Sequence, residues 1–241
     1  MLKKKTLIVG ASGGIGLTLS TRLIDRGDRE VTGTYLNNKP KLSSISRGMS
    51  WEHLDITKVT DIINFIESNE TFDEVIFCSG VAHSRLIGKF DSQEIMDDIS
   101  INLSGPLIFL NLIIGKFLER GSGTIILISS IVATKTVPGI AAYSAAKAGV
   151  INICRSLNRE LILRKNQYPH NIKCLVISPG YIKTSMTQSL SEKMMNTIKH
   201  NSVVGRIMEA DELVDIITFL LDFPSDAIAG AEIYLDGGLY I

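Results

Sequence analysis

The feature that most narrows the fold lies near the start of the chain. A short apolar run, Leu7-Ile8-Val9, stops at Gly10. Ala11-Ser12-Gly13-Gly14-Ile15-Gly16 follows, and a helical pattern then takes over from 15 to 26. Glycine lets a backbone turn tightly and come close to a ligand, and the N–H groups and positive dipole end of the next helix form a ready anion site. Strand, glycine-rich loop and helix in that order predict a phosphate-binding β-α turn, with a plain turn as the alternative.

The remainder of the chain repeats that unit. Apolar, β-branched runs predict strands over 6–9, 31–35, 51–54, 75–77, 124–129, 173–178 and 232–235. Helical patterns cover 15–26, 59–69, 92–119, 143–164 and 209–223. Several strands lack in-out alternation, as strands covered on both faces do. Gly27 is placed to close the first helix, and Asp91-Ser92-Gln93-Glu94 reads as a capping box opening the third. Repeated β-α-β units predict an α/β fold of the Rossmann type: a doubly wound parallel sheet of about seven strands, with helices on both faces in three layers. No repeat or Pro/Gly-rich linker interrupts the 241 residues, so a single domain, 1–241, is expected.

Composition excludes several other roles. The 25 basic and 25 acidic residues cancel, and no basic cluster interleaves with aromatics, which argues against nucleic acid. Cys78, Cys154 and Cys174 are odd in number and lack metal-site spacing, so no metal and a reduced, cytoplasmic setting are expected. The apolar run behind Lys3-Lys4-Lys5 is too short for a signal peptide, and no stretch is read as long enough to cross a membrane.

Two further motifs carry chemistry. In Tyr143-Ser144-Ala145-Ala146-Lys147 the Tyr and Lys are four apart, so on a helix they share a face. A phenol titrates near ~10, too high for neutral pH, and a neighbouring ammonium lowers that value. An incidental surface pair is the alternative. The run from Gly123 to Ser130 reads as a buried strand ending in hydroxyls. In an open parallel sheet ligands bind beyond the carboxyl ends of strands, which is where Ser130 falls. Ordinary turn chemistry would also place a serine there.

On these motifs the chain resembles the short-chain dehydrogenase/reductase family over nearly its whole length. The ordered set is Gly10-x-x-x-Gly14-x-Gly16, Asp55 after the third strand, Asn102, Ser130, Tyr143-x-x-x-Lys147 and Pro179-Gly180. The segments 142–149 and 179–184, with the ending Leu235-Asp236-Gly237-Gly238, are most similar to 3-oxoacyl-[acyl-carrier-protein] reductases.

The resemblance implies an NAD(P)-dependent oxidoreductase that moves hydride between a nicotinamide and a carbonyl or secondary alcohol. Tyr143 would be the general acid in reduction. Lys147 would hold the ribose hydroxyls and lower the Tyr143 pKa, and Ser130 would polarise the carbonyl. Asn102 would break its helix locally and position a water that relays protons to Lys147. The implied cofactor set is Gly10, Ser12, Gly13, Gly14, Ile15, Asn37, Asp55, Ile56, Ser79, Gly80, Tyr143, Lys147, Ile182 and Thr184, with Ile182 and Thr184 on the carboxamide. Asp55 could instead cap the helix beginning near Lys58, and Asn102 could be a helix-interior misfit. One departure stands out: Phe77-Cys78-Ser79-Gly80 replaces the usual Asn-Asn-Ala-Gly, which bears on local rigidity more than on catalysis.

In NAD sites a carboxylate after the second strand accepts the ribose hydroxyls. Here that stretch reads Tyr35-Leu36-Asn37-Asn38-Lys39, which favours NADP over NAD, although Gly13 stands where NADP-preferring relatives often carry Arg. The expected substrate is a small molecule or an acyl thioester. A sugar, steroid or specialised-metabolite alcohol is the alternative, and a non-catalytic dinucleotide sensor ranks below both. Met186, Leu190, Met194 and Met195 suggest an adaptable apolar lid over about 184–204. The apolar helix 92–119 and the small residues opening 143–164 predict a homo-oligomer, a tetramer.

Overall fold

The computed structural model describes residues 3–37, 48–135, 137–187 and 191–239. In chain order the elements are β1 (Lys4–Val9), α1 (Gly14–Arg26), β2 (Arg29–Tyr35), β3 (Met49–His53), α2 (Val59–Ser68), β4 (Glu74–Phe77) and α3 (Ser92–Ile99). A π-helical turn (Ser100–Ser104) joins α3 to α4 (Gly105–Arg120). Then come β5 (Ser122–Ile128), α5 (Ala141–Arg164), β6 (Asn171–Pro179), β7 (Ile182–Lys183), α6 (Glu192–Asn201), β8 (Met208–Glu209), α7 (Ala210–Asp222) and β9 (Glu232–Leu235).

Seven strands form one sheet in the order β3-β2-β1-β4-β5-β6-β9, every neighbouring pair parallel. The expected doubly wound α/β architecture is therefore present. Its central strands are apolar on both faces because helices cover both. Leu7, Val75, Ile125 and Cys174 pack with Phe109, Ile113 and Phe117 of α4 on one side. Ile8, Ile76, Ile126 and Leu175 pack with Leu19, Leu23, Leu213 and Ile217 of α1 and α7 on the other. Burying a Leu or Phe side chain contributes roughly 1.5–3 kcal/mol, so these two layers hold the sheet in place.

The helix signals read from sequence hold locally. Gly27 closes α1 at φ 69°, a left-handed conformation that favours glycine. Asp91 accepts from Gln93 N at 2.7 Å while Glu94 takes the Asp91 N–H at 3.2 Å, completing a capping box.

Three readings need correction. The helix expected over 92–119 is not uniform: after two turns it widens into the π turn, at the place where the resemblance put a local break, Asn102. Helical periodicity cannot show this, because a π turn adds one residue without changing composition. The paired strands β7 and β8 were not foreseen as elements, since two-residue strands carry no periodic signal, and α6 falls within the segment expected as a lid. The expectation that no apolar stretch reaches membrane-crossing length also fails, because the continuous helix Ser92–Arg120, 29 residues, meets it by length and composition. Its Phe109, Ile113 and Phe117 are core residues of this fold, which is the usual reason for such apolarity in a sheet-packed helix.

Candidate active site

The strand order turns at β1 and β4: from β1 the chain proceeds outward to β2 and β3, and from β4 it proceeds the other way. Crevices open at the carboxyl ends of strands at such a point. A cleft of about 510 Å³ lies there, and every residue of the expected cofactor set lines it, from Gly10 to Thr184. Ser130 and Asn102 stand behind the lining rather than in it.

The glycine loop is built for close approach. Gly10 has φ 82°, donates its N–H to Thr34 Oγ1 at 3.0 Å, and abuts the residues just after β4 so tightly that a Cβ would lie 2.6 Å from Ser79 N. A Cβ on Gly16 would sit 2.2 Å from Gly10 O, so the start of α1 can only close onto the loop as glycine. Gly13 is the N-cap of α1, no side chain caps the helix, and its first turn carries no acid. A Cβ on Gly13 would meet nothing within 4 Å. Uncapped N–H groups at a positive dipole end, facing a cleft, suit a pyrophosphate. The Ser79 hydroxyl is buried in the same wall with no partner among the described residues.

At the adenosine side, Asn37 is exposed and Lys39 lies outside the described residues. Asp55 accepts from Thr57 N at 3.0 Å and Thr57 Oγ1 at 2.6 Å and pairs with Lys58 at 3.1 Å. It closes the turn before α2 rather than capping α2, whose N-cap is Lys58. Burial alone would raise the Asp55 carboxyl, but the bonds from Thr57 and Lys58 outweigh it and hold the pKa low. Ile182 is fixed by the β7–β8 pairing. Thr184 is fixed by Thr187 Oγ1, which accepts from Thr184 N at 3.0 Å and donates to Ile182 O at 2.7 Å. Sequence reasoning gave Thr187 no part. A hydroxyl three residues beyond Thr184 was the available signal.

At the other end, Tyr143 and Lys147 share a face of α5, with Lys147 Nζ 5.6 Å from the centre of the Tyr143 ring. Burial pushes the Tyr143 phenol up to about 12, and the Ser130 hydroxyl, hydrogen-bonded to it, pulls the other way. Burial brings the Lys147 ammonium down to about 8. Its Nζ donates to Ile128 O at 2.9 Å, while Ser129 Oγ holds the Lys147 carbonyl at 2.8 Å. Ser129 is a second residue missed from sequence, where the adjacent Ser130 took the role. The two shifts leave a neutral phenol beside a lysine whose charge burial disfavours.

Asn102 sits in the π turn, buried. Its Nδ2 donates to Val81 O at 2.7 Å and Asp98 O at 2.8 Å, and its Oδ1 is buried without a partner among the described residues. A Cβ at Gly80 would lie 2.9 Å from that oxygen and 3.7 Å from Lys147 Nζ, so glycine here lets both groups crowd the cleft floor. Cys78, in place of the usual Asn, is pushed up to about 12 by burial despite the Lys147 charge. A neutral thiol is a poor nucleophile, which leaves Cys78 as wall rather than reagent. No group of metal-ligating side chains occurs among the described residues.

Comparison with known proteins agrees with this geometry. A family model described as Enoyl-(Acyl carrier protein) reductase matches residues 10–240. The 3-oxoacyl-[acyl-carrier-protein] reductases of Salmonella typhimurium and Escherichia coli are each 29% identical over 99% of this chain and 98% of the relative. That of Chlamydia trachomatis is 27% identical over the same shares. A solved short-chain dehydrogenase/reductase family protein superposes with a TM-score of 0.87 at 20% identity, covering 98% of this chain and 97% of its own. An Agrobacterium tumefaciens protein provisionally described as a gluconate dehydrogenase gives 0.86 at 22%, covering 98% and 96%. With the family match running from the glycine loop to the end of the described chain, this protein belongs to the short-chain dehydrogenase/reductase family of oxidoreductases.

Proposed function

We propose that this enzyme reduces a ketone to a secondary alcohol with a nicotinamide dinucleotide, on an apolar substrate of the 3-oxoacyl-thioester type. The observation that carries the reading is the half-buried Tyr143, its phenol kept protonated, hydrogen-bonded to Ser130 and with Lys147 Nζ over its ring, on the wall of a cleft that also holds the glycine loop. The bound dinucleotide supplies the hydride. Ser130 polarises the carbonyl, Tyr143 donates a proton to its oxygen, and Lys147, whose ammonium is disfavoured by burial, stands beside the phenol to restore it. The N-terminus of α1 holds the pyrophosphate, and Ile182 and Thr184 orient the carboxamide. The relatives' names include both alkene and ketone reductases, and a tyrosine acid aimed at a developing oxyanion favours the ketone.

Beside the phenol, Ile131, Val132 and Leu239 form an apolar cluster joined by Val137, Ile140 and Tyr181. An acyl chain fits it better than a free sugar does. Met186 and Met194, both partly exposed, lie on the segment we assign as a lid. One observation favours a second reading, a carrier-free small molecule. Lys183 is paired with Glu209, Arg206 with Glu212 and Arg85 with Glu94, so these cations are already neutralised before any acidic carrier arrives. Asn37, in place of a carboxylate, favours NADP. Three free cysteines suit a reducing, cytoplasmic setting.

Tyr143→Phe tests the assignment. Turnover of a 3-oxoacyl substrate is expected to fall by about 10²–10⁴ while dinucleotide binding, read by fluorescence, persists. Retention of most turnover would overturn it. Leu107 and Leu112 on α4, with Ile162 and Leu163 on α5, are exposed, and a second copy would cover them. A homotetramer is expected by light scattering, and a monomer with full activity would refute it.

A further inference from the structure

The reacting end of the site backs onto an apolar cluster that the cleft itself does not reach. Ile131 and Val132 open the turn directly after Ser130, with Val132 N donating to Ser130 Oγ at 3.4 Å. Val137 and Ile140 lead into α5, and Tyr181 lies between Gly180 and Ile182, which line the cleft. All of these pack in one cluster with Tyr143, and a further member, Leu239, comes from beyond β9. Ile131, Val132 and Leu239 are buried, and none of the three lines the cleft.

The backbone that delivers Leu239 is fastened to three other segments. Where β6 ends, Gly180 N donates to Leu235 O at 2.9 Å. Just after α6, Val204 N donates to Gly237 O at 3.2 Å. Just past the Ser130 turn, Lys135 Nζ donates to Leu239 O. Within the segment, Gly238 N donates to Asp236 Oδ1 at 2.9 Å. The turn passes through Gly237 at φ 64° and Gly238 at φ 77°, the left-handed region that favours glycine. A Cβ on either would lie 2.5 Å from a methyl of Val204 or Val203. Leu239 is therefore set by its own turn and by its neighbours. Met186 and Met194 on the lid segment differ, being unbranched, partly exposed and adaptable.

We propose that Leu239 is a specificity-determining residue: it fills the space beyond Tyr143 and limits how far the acyl chain of a substrate extends past the ketone. The proposal rests on the reading of the site as a reductase of 3-oxoacyl substrates. In such a substrate the thioester side leaves through the open side of the cleft. The hydrocarbon side then runs toward the apolar cluster, where Leu239 already makes the contacts that further methylenes would need. A close-packed interior admits those carbons only if a side chain gives way. Ile131, Val132 and Ile140 flank Ser130 and Tyr143 in the chain, so moving them disturbs the catalytic pair. Leu239 is the member of the cluster that can be trimmed without touching either segment.

The test measures kcat/KM for 3-oxobutanoyl, 3-oxooctanoyl and 3-oxododecanoyl thioesters of N-acetylcysteamine in wild type, Leu239→Ala and Leu239→Phe. Melting temperature and dinucleotide affinity serve as controls, and affinity should stay level because Leu239 does not line the dinucleotide cleft. In Leu239→Ala the ratio of the longest to the shortest substrate should rise about tenfold, with the shortest nearly unchanged. In Leu239→Phe the two longer substrates should lose about as much against the shortest. Folded variants whose losses or gains are equal at every length overturn the proposal. Should Leu239→Ala not fold, Leu239→Val trims a single carbon, and a ratio that fails to rise there overturns it. Binding of the matching 3-hydroxyacyl thioesters to the dinucleotide complex, read by calorimetry, tests the same limit without turnover. A wild type that reduces none of the ketones would sink the proposed reaction, and the dependence of that binding on length would still decide the role of Leu239.

Discussion

At the amino ends of the strands, Arg29 of β2 is buried against Glu74 of β4, with Nε to Oε2 at 2.8 Å, and also reaches Asp28 and Asp222 at 2.8 Å. Lys4 and Thr6 complete the Glu74 carboxylate, at 3.1 and 2.7 Å. At the carboxyl ends, Lys147 is equally enclosed, yet it has no carboxylate partner among the described residues and donates a hydrogen bond to a backbone carbonyl. The unpartnered Ser79 hydroxyl and Asn102 Oδ1 lie at that same end. One end of the sheet spends its polar groups on each other, while the other holds them in reserve for a ligand. Buried charge alone therefore does not mark a functional site. The lack of a partner does.

Lys147→Met tests this contrast most severely. Turnover is expected to fall by at least about 10². Stability of the dinucleotide-free protein at about pH 7 should nevertheless rise, by about 1–3 kcal/mol, because an apolar side chain replaces an uncompensated charge. The advantage should shrink toward pH 9.5. Between about 8 and 10.5 the unfolded chain keeps a proton that folded Lys147 has lost, so wild-type stability climbs with pH in that window. Urea titrations at two pH values would show it, and a destabilised variant would break the comparison.

Glu74→Gln should do the reverse: a loss of about 3 kcal/mol in stability, with turnover per folded molecule unchanged. That end also weakens in acid. Burial would raise the Asp222 carboxyl, but bonds from Arg29 and Arg26 hold it below the ordinary value of 3.8, so its contribution is present above that value and is lost as pH falls through the lower one. A Glu74→Gln protein as stable as wild type would show that the cluster is only decorative.

The smallest effect is expected from Asn37→Asp, a charge added at the reserved end on an exposed residue. Stability should change by less than about 0.5 kcal/mol. NADPH affinity should weaken about tenfold more than NADH affinity, through repulsion of the 2′-phosphate. Equal losses would place Asn37 away from that phosphate.

Much of the reserved end was legible because its residues are motif-bound. The glycine loop, Ser130, and Tyr143 with Lys147 sit at fixed offsets from strand ends, and offsets survive in sequence. The paired end was not legible. Arg29 and Glu74 are 45 residues apart and each opens a strand, where a charge ordinarily reads as solvated. The same holds for Asp98 and His83, joined only once the loop folds back over α3. The seven sheet strands were found from their apolar runs, whereas β7 and β8 exist because Thr187 and the neighbouring chain hold them, a tertiary cause with no local pattern.

The π turn at Ser100–Ser104 also limits how this gene can change length. A wide turn holds one residue more than an α-helical turn, which rotates everything after it by about 100°. Asp98 before it and Phe109, Ile113 and Phe117 after it face their proper neighbours only at the present count. A single-codon deletion between the Asp91 cap and the Gly121 stop would put one set or the other out of phase, whichever residue was removed. Insertions of one or two codons would do likewise. Among otherwise unconstrained lineages of this chain, the segment from 91 to 121 should be the stretch whose length is kept while its apolar residues interchange.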